Sequence, residues 1–548
     1  MENDRSMPGG NKSDNMYTYQ EDQKNNSMHE TGAIRRSLGE GNPNANPQYQ
    51  INNSSNNHER TIGRNSIIVE VDQSPPLYWM FFMIFGIIQI VFIILFAAYY
   101  NDVYKTEADD NSKKAENDIK QKYKLFQEIN IMIYLGFSFL RSFLKHYSWS
   151  SITLTLMGGV LSFEFALFFL ICFGGLFQKN WNDGKFNFEY LLDASYCSAT
   201  FIISLGAILG KLSLAQYFVM VLVESILSTL NYILLRQSIK IIDIGGALTV
   251  HLFGAIFGGV FSLFFFFTKQ EKERISNSPH LGTSYNSNIF ALFGSLILIS
   301  YWPAFNTALI AKHNILKYRG IINTYLSILG SIVGTFCVSP LCNYGKLKIQ
   351  DVLNACFSGG IVVAGCCHII QYHWLSLLIG VISGALTTYL CNIISFRLKR
   401  KGYHDTSDVF LYHGIPGFLG GIFSTIFVGS LKNWNSNPNA NSVQEFNFAD
   451  LKGNIANFTG TLMSYNVTLN NYNDSLGNYA GMHFASIFIT LAIAAVSGFV
   501  AGFTIKFCNC NIAIRYFNDS EFFDVSDSEA FPWEDEQVEL QVRYNSRT

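Results

Sequence analysis

Two histidines lie inside strongly apolar stretches of this sequence, and each belongs to the same pattern of spacing. An aspartate precedes the histidine by eight residues and a glycine pair follows it, at Asp243, His251, Gly258 and Gly259. The pattern recurs with identical spacing at Asp405, His413, Gly420 and Gly421. Neutral imidazole has one donor and one acceptor nitrogen, so two rings can fix each other's tautomers and still bind a small polar molecule.

The surroundings of the two histidines indicate what they could bind. No cysteine or carboxylate has a fixed position beside either histidine, so the sequence predicts neither a metal site nor a cofactor. A charged molecule would lose its hydration in such apolar surroundings, at a large cost in free energy. The residues therefore favour a small neutral cargo.

Helix geometry places both histidines at a similar depth. An aspartate at the start of a helix can cap free backbone N–H groups. At a rise of about 1.5 Å per residue, a histidine eight residues later lies about 12 Å deeper, near the middle of a bilayer core of about 30 Å. The two stretches run in opposite directions, which is typical of inverted repeats with a site at the midplane.

The glycines and the repetition itself add two expectations. Residues seven apart share a helix face, so Gly258 and Gly420 would let the two helices cross closely below the histidines. A lone histidine in such a stretch could equally be a core residue bonded to a neighbour. A pair related by a repeat favours function instead, since ionisable groups in lipid are costly.

The composition of the whole chain indicates a membrane protein. Asp, Glu, Lys and Arg make up 14% of its 548 residues, whereas soluble chains average about 25%. The net charge of −2 provides no basic surface of the kind that binds nucleic acid. We therefore predict an all-α polytopic membrane protein with soluble ends and no nucleic-acid partner.

A helix needs roughly 20 apolar residues to span a bilayer. Twelve stretches meet this requirement, at about 77–100, 127–145, 151–176, 195–212, 214–235, 243–268, 287–309, 321–341, 350–370, 373–395, 406–430 and 482–507. The second and the ninth are interrupted by polar residues. Residues 1–76 are rich in Asn, Ser and Gln, and we predict a disordered tail because such a segment buries too little apolar surface. The predicted membrane domain is 77–507, followed by a plain C-terminal tail, 508–548.

Two features predict which side of the membrane each end occupies. Loop 396–405 contains a cluster of basic residues, a feature of cytoplasmic loops, at Arg397, Lys399, Arg400 and Lys401. Candidate glycosylation sequons lie on the opposite side, at Asn457, Asn466 and Asn473. Because the number of spans is even, we predict that both termini are cytoplasmic, with the protein in the plasma membrane.

Several segments of the chain resemble the Rh branch of the ammonium transporter family. They are NIMIYLGFSFLRSFLKHY (130–147), SLGAILGKLS (204–213), DIGGALTVHLFGA (243–255), YWPAFNTAL (301–309), INTYLSILGS (322–331) and HGIPGFLGGI (413–422). The resemblance covers about 77–507, and its elements are specific in combination. An additional span before the usual eleven is also similar to the Rh branch.

The resemblance implies an inverted repeat of five helices each, and a homotrimer with one hydrophobic pore through each subunit. It identifies His251 and His413 as the twin histidines of that pore. It also implies that Asp243 lies near the site that recruits the cation, with Asp405 as its counterpart on the cytoplasmic side. Ammonium would lose its proton in the outer vestibule, and ammonia would cross the lumen past the imidazoles.

The outer gate of this family is a pair of stacked phenylalanines. The resemblance places one of them at Phe305, with Asn306 beside it among the pore residues. The other falls on Tyr196, which departs from the family and adds a hydroxyl to the gate. The loop after Asp405 also departs, at Ser407, Asp408 and Phe410.

Three functions remain open at this point. The first is an ammonium/ammonia transporter, and the second a channel for carbon dioxide or another small neutral gas. The third is a non-conducting membrane sensor or scaffold with the same fold, which would not need intact pore histidines. An enzyme is not expected, since the chain has neither a Gly-x-Ser-x-Gly nor a His-Glu-x-x-His motif.

Overall fold

The computed structural model describes most of the predicted membrane domain and a short segment after it. The described residues are 76–99, 112–178, 188–265, 273, 275, 278, 280–310, 315–401, 403–434, 476–507 and 516–523. Within these ranges the chain is helical, and its only β-type pairing is an isolated bridge between Leu144 and Thr283. The predicted N-terminal tail up to residue 75 and the three sequons lie outside the described residues.

We number the principal α-helices of the described residues in chain order. They are α1 (Pro76–Tyr99), α2 (Ser112–Asn130), α3 (Ser148–Gln178), α4 (Phe188–Ile208), α5 (Leu214–Ile233), α6 (Phe253–Ser262), α7 (Tyr285–Thr307), α8 (Ile315–Cys342), α9 (Ile349–Asn354), α10 (Phe357–Val362), α11 (His373–Leu390), α12 (Ile415–Trp434) and α13 (Leu476–Phe507). Several continue as π-helical segments, and two of these, Ala247–Leu252 and Phe410–Gly414, lead into α6 and α12.

Nine helices in the described part of the chain are long and apolar enough to cross a membrane. These correspond to nine of the twelve predicted spans. The first predicted span contains the shorter apolar helix Met83–Ala98, and two others are not single apolar helices. The second is the polar α2, continued by short helical pieces as far as Phe143. The ninth consists of α9 and α10, each of six residues, followed by turns.

The break after α10 has a clear physical basis. A helix that ends inside the protein leaves carbonyl groups without intrahelical partners, and these must be bonded elsewhere. The Asn323 side-chain amide of α8 donates to the carbonyl oxygens of Cys367 and Ile370, at 2.7 and 2.8 Å. This buried amide replaces the bonds that a continuous ninth helix would have made.

The inverted repeat is visible in pairs of equivalent contacts. Residues 162 apart occupy equivalent positions, as His251 and His413 do. A Cβ added at Gly259 would lie 3.4 Å from the Phe410 ring, and one added at Gly421 would lie 2.7 Å from the Leu248 side chain. In the same way, Gly245 N–H donates to the Ala364 carbonyl at 2.9 Å, and Ser407 N–H donates to that of Gly206 at 3.2 Å.

Of the two glycines predicted at the helix crossing, Gly258 packs elsewhere. A Cβ at Gly258 would meet the backbone of Ser204 in α4, 2.7 Å from its carbonyl oxygen, and not the helix that carries His413. Gly420 faces Ala247, in the segment that carries His251, and also the backbone of α10. The two histidine helices also approach closely at Gly417, where a Cβ would be 3.0 Å from the Leu252 nitrogen.

Part of the predicted C-terminal tail packs against the membrane domain. Phe517 is fully buried and donates its N–H to the Gly210 carbonyl at 2.9 Å. The Asp519 carboxylate accepts bonds from Ser150 N–H and hydroxyl, at 2.7 and 2.6 Å, near the start of α3. Burial raises the pKa of Asp519, and the bonds from Ser150 oppose that rise. Residues 516–523 thus belong to the packed body of the protein.

Candidate functional site

The two predicted histidines meet in the interior of the molecule. His251 and His413 are 1% and 3% exposed, and their Nδ1 atoms lie 3.3 Å apart. One Nδ1 must donate and the other accept, so each ring fixes the tautomer of its partner. One Nε2 is consequently a donor and the other an acceptor. The His251 Nε2 has no hydrogen-bond partner among the described residues, which leaves it free to bind a small molecule.

The aspartates of the repeat hold the first turns that carry the histidines. The Asp243 carboxylate accepts bonds from Leu248 N–H, Thr249 N–H and the Thr249 hydroxyl, at 3.1, 2.8 and 2.9 Å. The Asp405 carboxylate accepts from Phe410 N–H at 2.8 Å. Both carboxylates therefore act as helix caps, which satisfy backbone donors that have no partner within the helix.

Both capping carboxylates lie in connections before the spans, and burial affects their charge. Burial raises the pKa of Asp405 to about 6, and the neighbouring Asp408 adds to the rise. Burial also raises the pKa of Asp243, whereas its bonds to Thr249 and the nearby Arg236 oppose this. In each carboxylate one oxygen, Oδ1, has no hydrogen-bond partner among the described residues.

The residues at the predicted gate stack against each other. The Tyr196 and Phe305 rings have centroids 4.4 Å apart and planes inclined by 19°. Both side chains are buried, and the Tyr196 hydroxyl donates to the Phe305 carbonyl oxygen. The additional hydroxyl thus has a partner within the protein. The His251 ring lies 6.2 Å from Phe305, so the stacked rings are next to the histidine pair.

Three aromatic residues beside the histidines were not predicted. Trp302 stacks on His251 with ring centroids 5.8 Å apart, and Phe357 and Phe137 lie 4.8 and 6.2 Å from the His413 ring. Trp302 could have been identified, because it precedes Phe305 by three residues and so shares its helix face. Phe357 and Phe137 come from other helices, and no local pattern in the sequence connects them to the histidines.

Asn306 links three helices near the gate. Its amide donates to the Gly360 carbonyl at 2.8 Å and to the Thr324 hydroxyl at 3.3 Å, which joins α7 to α10 and α8. Its carbonyl oxygen, Oδ1, has no partner among the described residues and faces Gly245. The structure therefore places Asn306 in the wall behind Phe305.

A cavity of about 40 Å³ opens next to His413. This His413 cavity lies on the side of loop 403–408 and is lined by both apolar and polar groups, among them Phe137, Arg141, Asn354, Phe357, Ser407 and Asp408. A space of about 10–15 Å³ is enough for one water molecule. The cavity therefore has room for a molecule of that size directly beside the histidine pair.

Comparison with known proteins assigns the chain to a family. The model of the Ammonium Transporter Family matches residues 81–515. Ammonium transporter Rh type B-B of Xenopus laevis is 32% identical over 355 residues, which cover 62% of this chain and 74% of the relative. Ammonium transporter Rh type C of Canis lupus familiaris is 28% identical over 435 residues, which cover 77% of this chain and 87% of the relative.

The fold is also shared with solved structures. Nitrosomonas europaea Rh50 aligns with a TM-score of 0.60 and 24% identity, over 79% of this chain and 99% of the other. The fold class and the resemblance predicted from the sequence are confirmed. The chain is a multi-pass membrane protein that belongs to the ammonium transporter family, in its Rh branch.

Proposed function

We propose that this protein transports ammonium across the membrane by conducting ammonia through the pore that contains His251 and His413. The observation that carries the proposal is the buried histidine pair, with one Nε2 donor and one Nε2 acceptor beside an aromatic barrier. The names of the Rh-type relatives, which describe ammonium transporters, support the same substrate.

The path begins at the Tyr196–Phe305 barrier, on the side that we propose to be extracellular. The buried carboxylate of Asp243 acts electrostatically on Tyr196 and favours a cation there, while the apolar rings beyond it oppose entry of a charge. Ammonium gives up its proton to water on this side. Ammonia then passes the histidines, enters the His413 cavity and takes up a proton on the other side.

The energetics favour the neutral molecule. An isolated ion in a medium of low dielectric loses hydration worth many kcal/mol. Among the described residues, no carboxylate is hydrogen-bonded to either histidine. Ammonia loses only a few hydrogen bonds. Because neutral imidazole can both donate and accept, the Nε2 atoms can replace them in part.

The remaining expectations are part of the same proposal. We infer a homotrimer in the plasma membrane, with cytoplasmic termini and a membrane domain of 77–507. A channel for carbon dioxide is the alternative within the transport class. Carbon dioxide has no proton to donate to an Nε2 acceptor, so the histidine pair fits ammonia better. The retained pair also favours conduction over a non-conducting scaffold.

Reconstitution into liposomes tests the proposed function directly. We expect an inward ammonium gradient to raise the internal pH faster with the protein than without it, because ammonia that enters takes up protons. A pH-sensitive dye inside the vesicles measures this rate. When a carbon dioxide gradient is applied to the same vesicles, the protein should not increase the rate at which the internal pH changes. If vesicles with the protein respond to the ammonium gradient no faster than vesicles without it, the proposal is refuted.

The charge and the cap of Asp243 can be separated by two substitutions. Asp243→Ala removes three hydrogen bonds to the first turn of the helix, and we expect a loss of about 0.5–2 kcal/mol in stability, the usual range for a lost cap. Asp243→Asn keeps an acceptor for these bonds but removes the charge. We expect it to assemble normally and to take up ammonium at a reduced rate at low concentration. Wild-type uptake by the Asn variant would leave Asp243 with a structural role only.

The Tyr196 hydroxyl provides a milder test of the gate. Tyr196→Phe removes the bond to the Phe305 carbonyl, and we expect a loss of about 1 kcal/mol in stability, the net value of a typical hydrogen bond. The ring remains, so the ammonia rate should stay within about twofold of wild type. Tyr196→Ala removes the ring and serves as the contrasting variant. Equal rates and equal ion leakage in both variants would show that position 196 is not a barrier.

A further inference from the structure

Arg141 is a buried cation beside the histidine pair. It is 4% exposed and follows the helical continuation of α2. Its guanidinium carbon lies 5.9 Å from the centre of the Phe137 ring, and that ring lies 6.2 Å from the His413 ring. An ionisable residue at such a position is costly to maintain, which points to a function.

The guanidinium of Arg141 is only partly satisfied within the protein. Its Nη2 donates to the Ile203 carbonyl at 3.2 Å, whereas Nη1 has no hydrogen-bond partner among the described residues. Glu224 is the acid whose charge acts most strongly on Arg141, yet no described carboxylate forms an ion pair with Arg141 within 4.0 Å. The Glu224 carboxylate is instead bonded to the Ser204 hydroxyl at 2.6 Å.

Two other charged groups near the pore have an ion-pair or hydrogen-bond partner. Asp408, which also lines the His413 cavity, forms an ion pair with Lys399 at 3.3 Å. Arg236, near the gate, donates to the Tyr232 hydroxyl, which in turn donates to the Asp193 carboxylate at 2.6 Å. Arg141 is therefore a buried charge in the wall of the His413 cavity that forms no ion pair with a described carboxylate.

We propose that Arg141 is a cation barrier, which keeps ammonium out of the His413 cavity while ammonia passes. Its charge is buried and weakly screened, so a cation in the cavity is repelled and a neutral molecule is not. This inference rests on the proposed function and extends it, because it identifies the residue that prevents net charge movement. For unit charges about 10 Å apart at an effective dielectric of about 20, the repulsion corresponds to exclusion of order tenfold.

The test compares charge movement with ammonia movement in the same proteoliposomes. Currents recorded on solid-supported membranes give the charge moved by an ammonium pulse, and an internal pH dye gives the ammonia flux. We expect the wild type to move little charge per ammonia. Arg141→Met, which fills a similar volume among apolar neighbours, should raise this ratio about tenfold. Arg141→Gln, which can still bond to the Ile203 carbonyl, should do the same and replaces the Met variant if that fails to assemble.

Two further variants distinguish a barrier from a structural role. Arg141→Lys retains the positive charge and should keep the wild-type ratio. Arg319→Gln removes an arginine of α8 that does not line the cavity, and it should also leave the ratio unchanged. The proposal is overturned if the Met and Gln variants keep the wild-type ratio, if the Lys variant behaves like them, or if the wild type moves about one charge per ammonia. Absence of ammonia flux in the wild type would instead refute the proposed function.

Discussion

Replacement of His251 or His413 by alanine is expected to reduce ammonia flux at least tenfold while the protein still assembles. The change removes one of the two Nε2 groups that compensate ammonia for lost water. It also removes the Nδ1 contact of 3.3 Å, so the remaining ring is no longer held in one tautomer. A buried polar group left without its partner costs about 1–3 kcal/mol, which corresponds to roughly fivefold to more than a hundredfold in a rate.

The two substitutions should not be additive. Since each histidine orients the other, removal of either one already destroys the arrangement. We expect the double variant to conduct at about the rate of the slower single variant. Groups that share one hydrogen bond typically show interaction energies of about 0.5–3 kcal/mol in such a cycle. If the double variant instead loses rate by the product of the two single-variant factors, the two rings act separately.

The measurement is the rate of internal alkalinisation in liposomes after an ammonium gradient, normalised to assembled protein. His373→Ala is the matched control, because this histidine bonds to Asn323 at 2.7 Å and is not in contact with the pore pair. It should conduct like the wild type. Wild-type rates in both pore variants would contradict the twin-histidine account, whatever the control does.

The histidine pair could be predicted from sequence because it depends on spacing within two helices. An aspartate cap and a histidine eight residues later fix a depth, and the repetition fixes the opposite direction. These relations are local to each helix and do not depend on contacts with the rest of the chain. The contact between His251 and His413 follows from them together with the inverted repeat.

The parts that could not be predicted depend on contacts between distant segments. Phe357 reaches His413 from α10, a helix of six residues within a stretch that reads as one continuous span. The break after α10 depends on the amide of Asn323, more than forty residues earlier in the chain. Arg141 stands out in an apolar sequence, but the sequence alone does not show that no described carboxylate forms an ion pair with it.

Gly258→Val is expected to destabilise the protein by about 3 kcal/mol, at the upper end of the usual cost of overpacking. A Cβ at this position would lie 2.7 Å from the Ser204 carbonyl oxygen and 3.0 Å from its Cα. Both are backbone atoms of α4, so no side chain can move aside to make room. The helix that carries His251 would therefore have to separate from α4, which also carries Tyr196.

Substitutions at two other glycines provide the comparison for the stability of this variant. Gly420 is the repeat equivalent of Gly258, and a Cβ there would lie 3.1 Å from the Ile361 and Val362 carbonyl oxygens. Gly420→Val should thus destabilise the protein as well, but less. A Cβ at Gly481 in α13 would have no described atom within 4 Å, so Gly481→Val should have little effect. Thermal unfolding in detergent, followed by gel filtration, gives the order of the three variants. Equal stability of the Gly258 and Gly481 variants would show that the contact between α6 and α4 tolerates a side chain, and that the histidine helix is not fixed by this glycine.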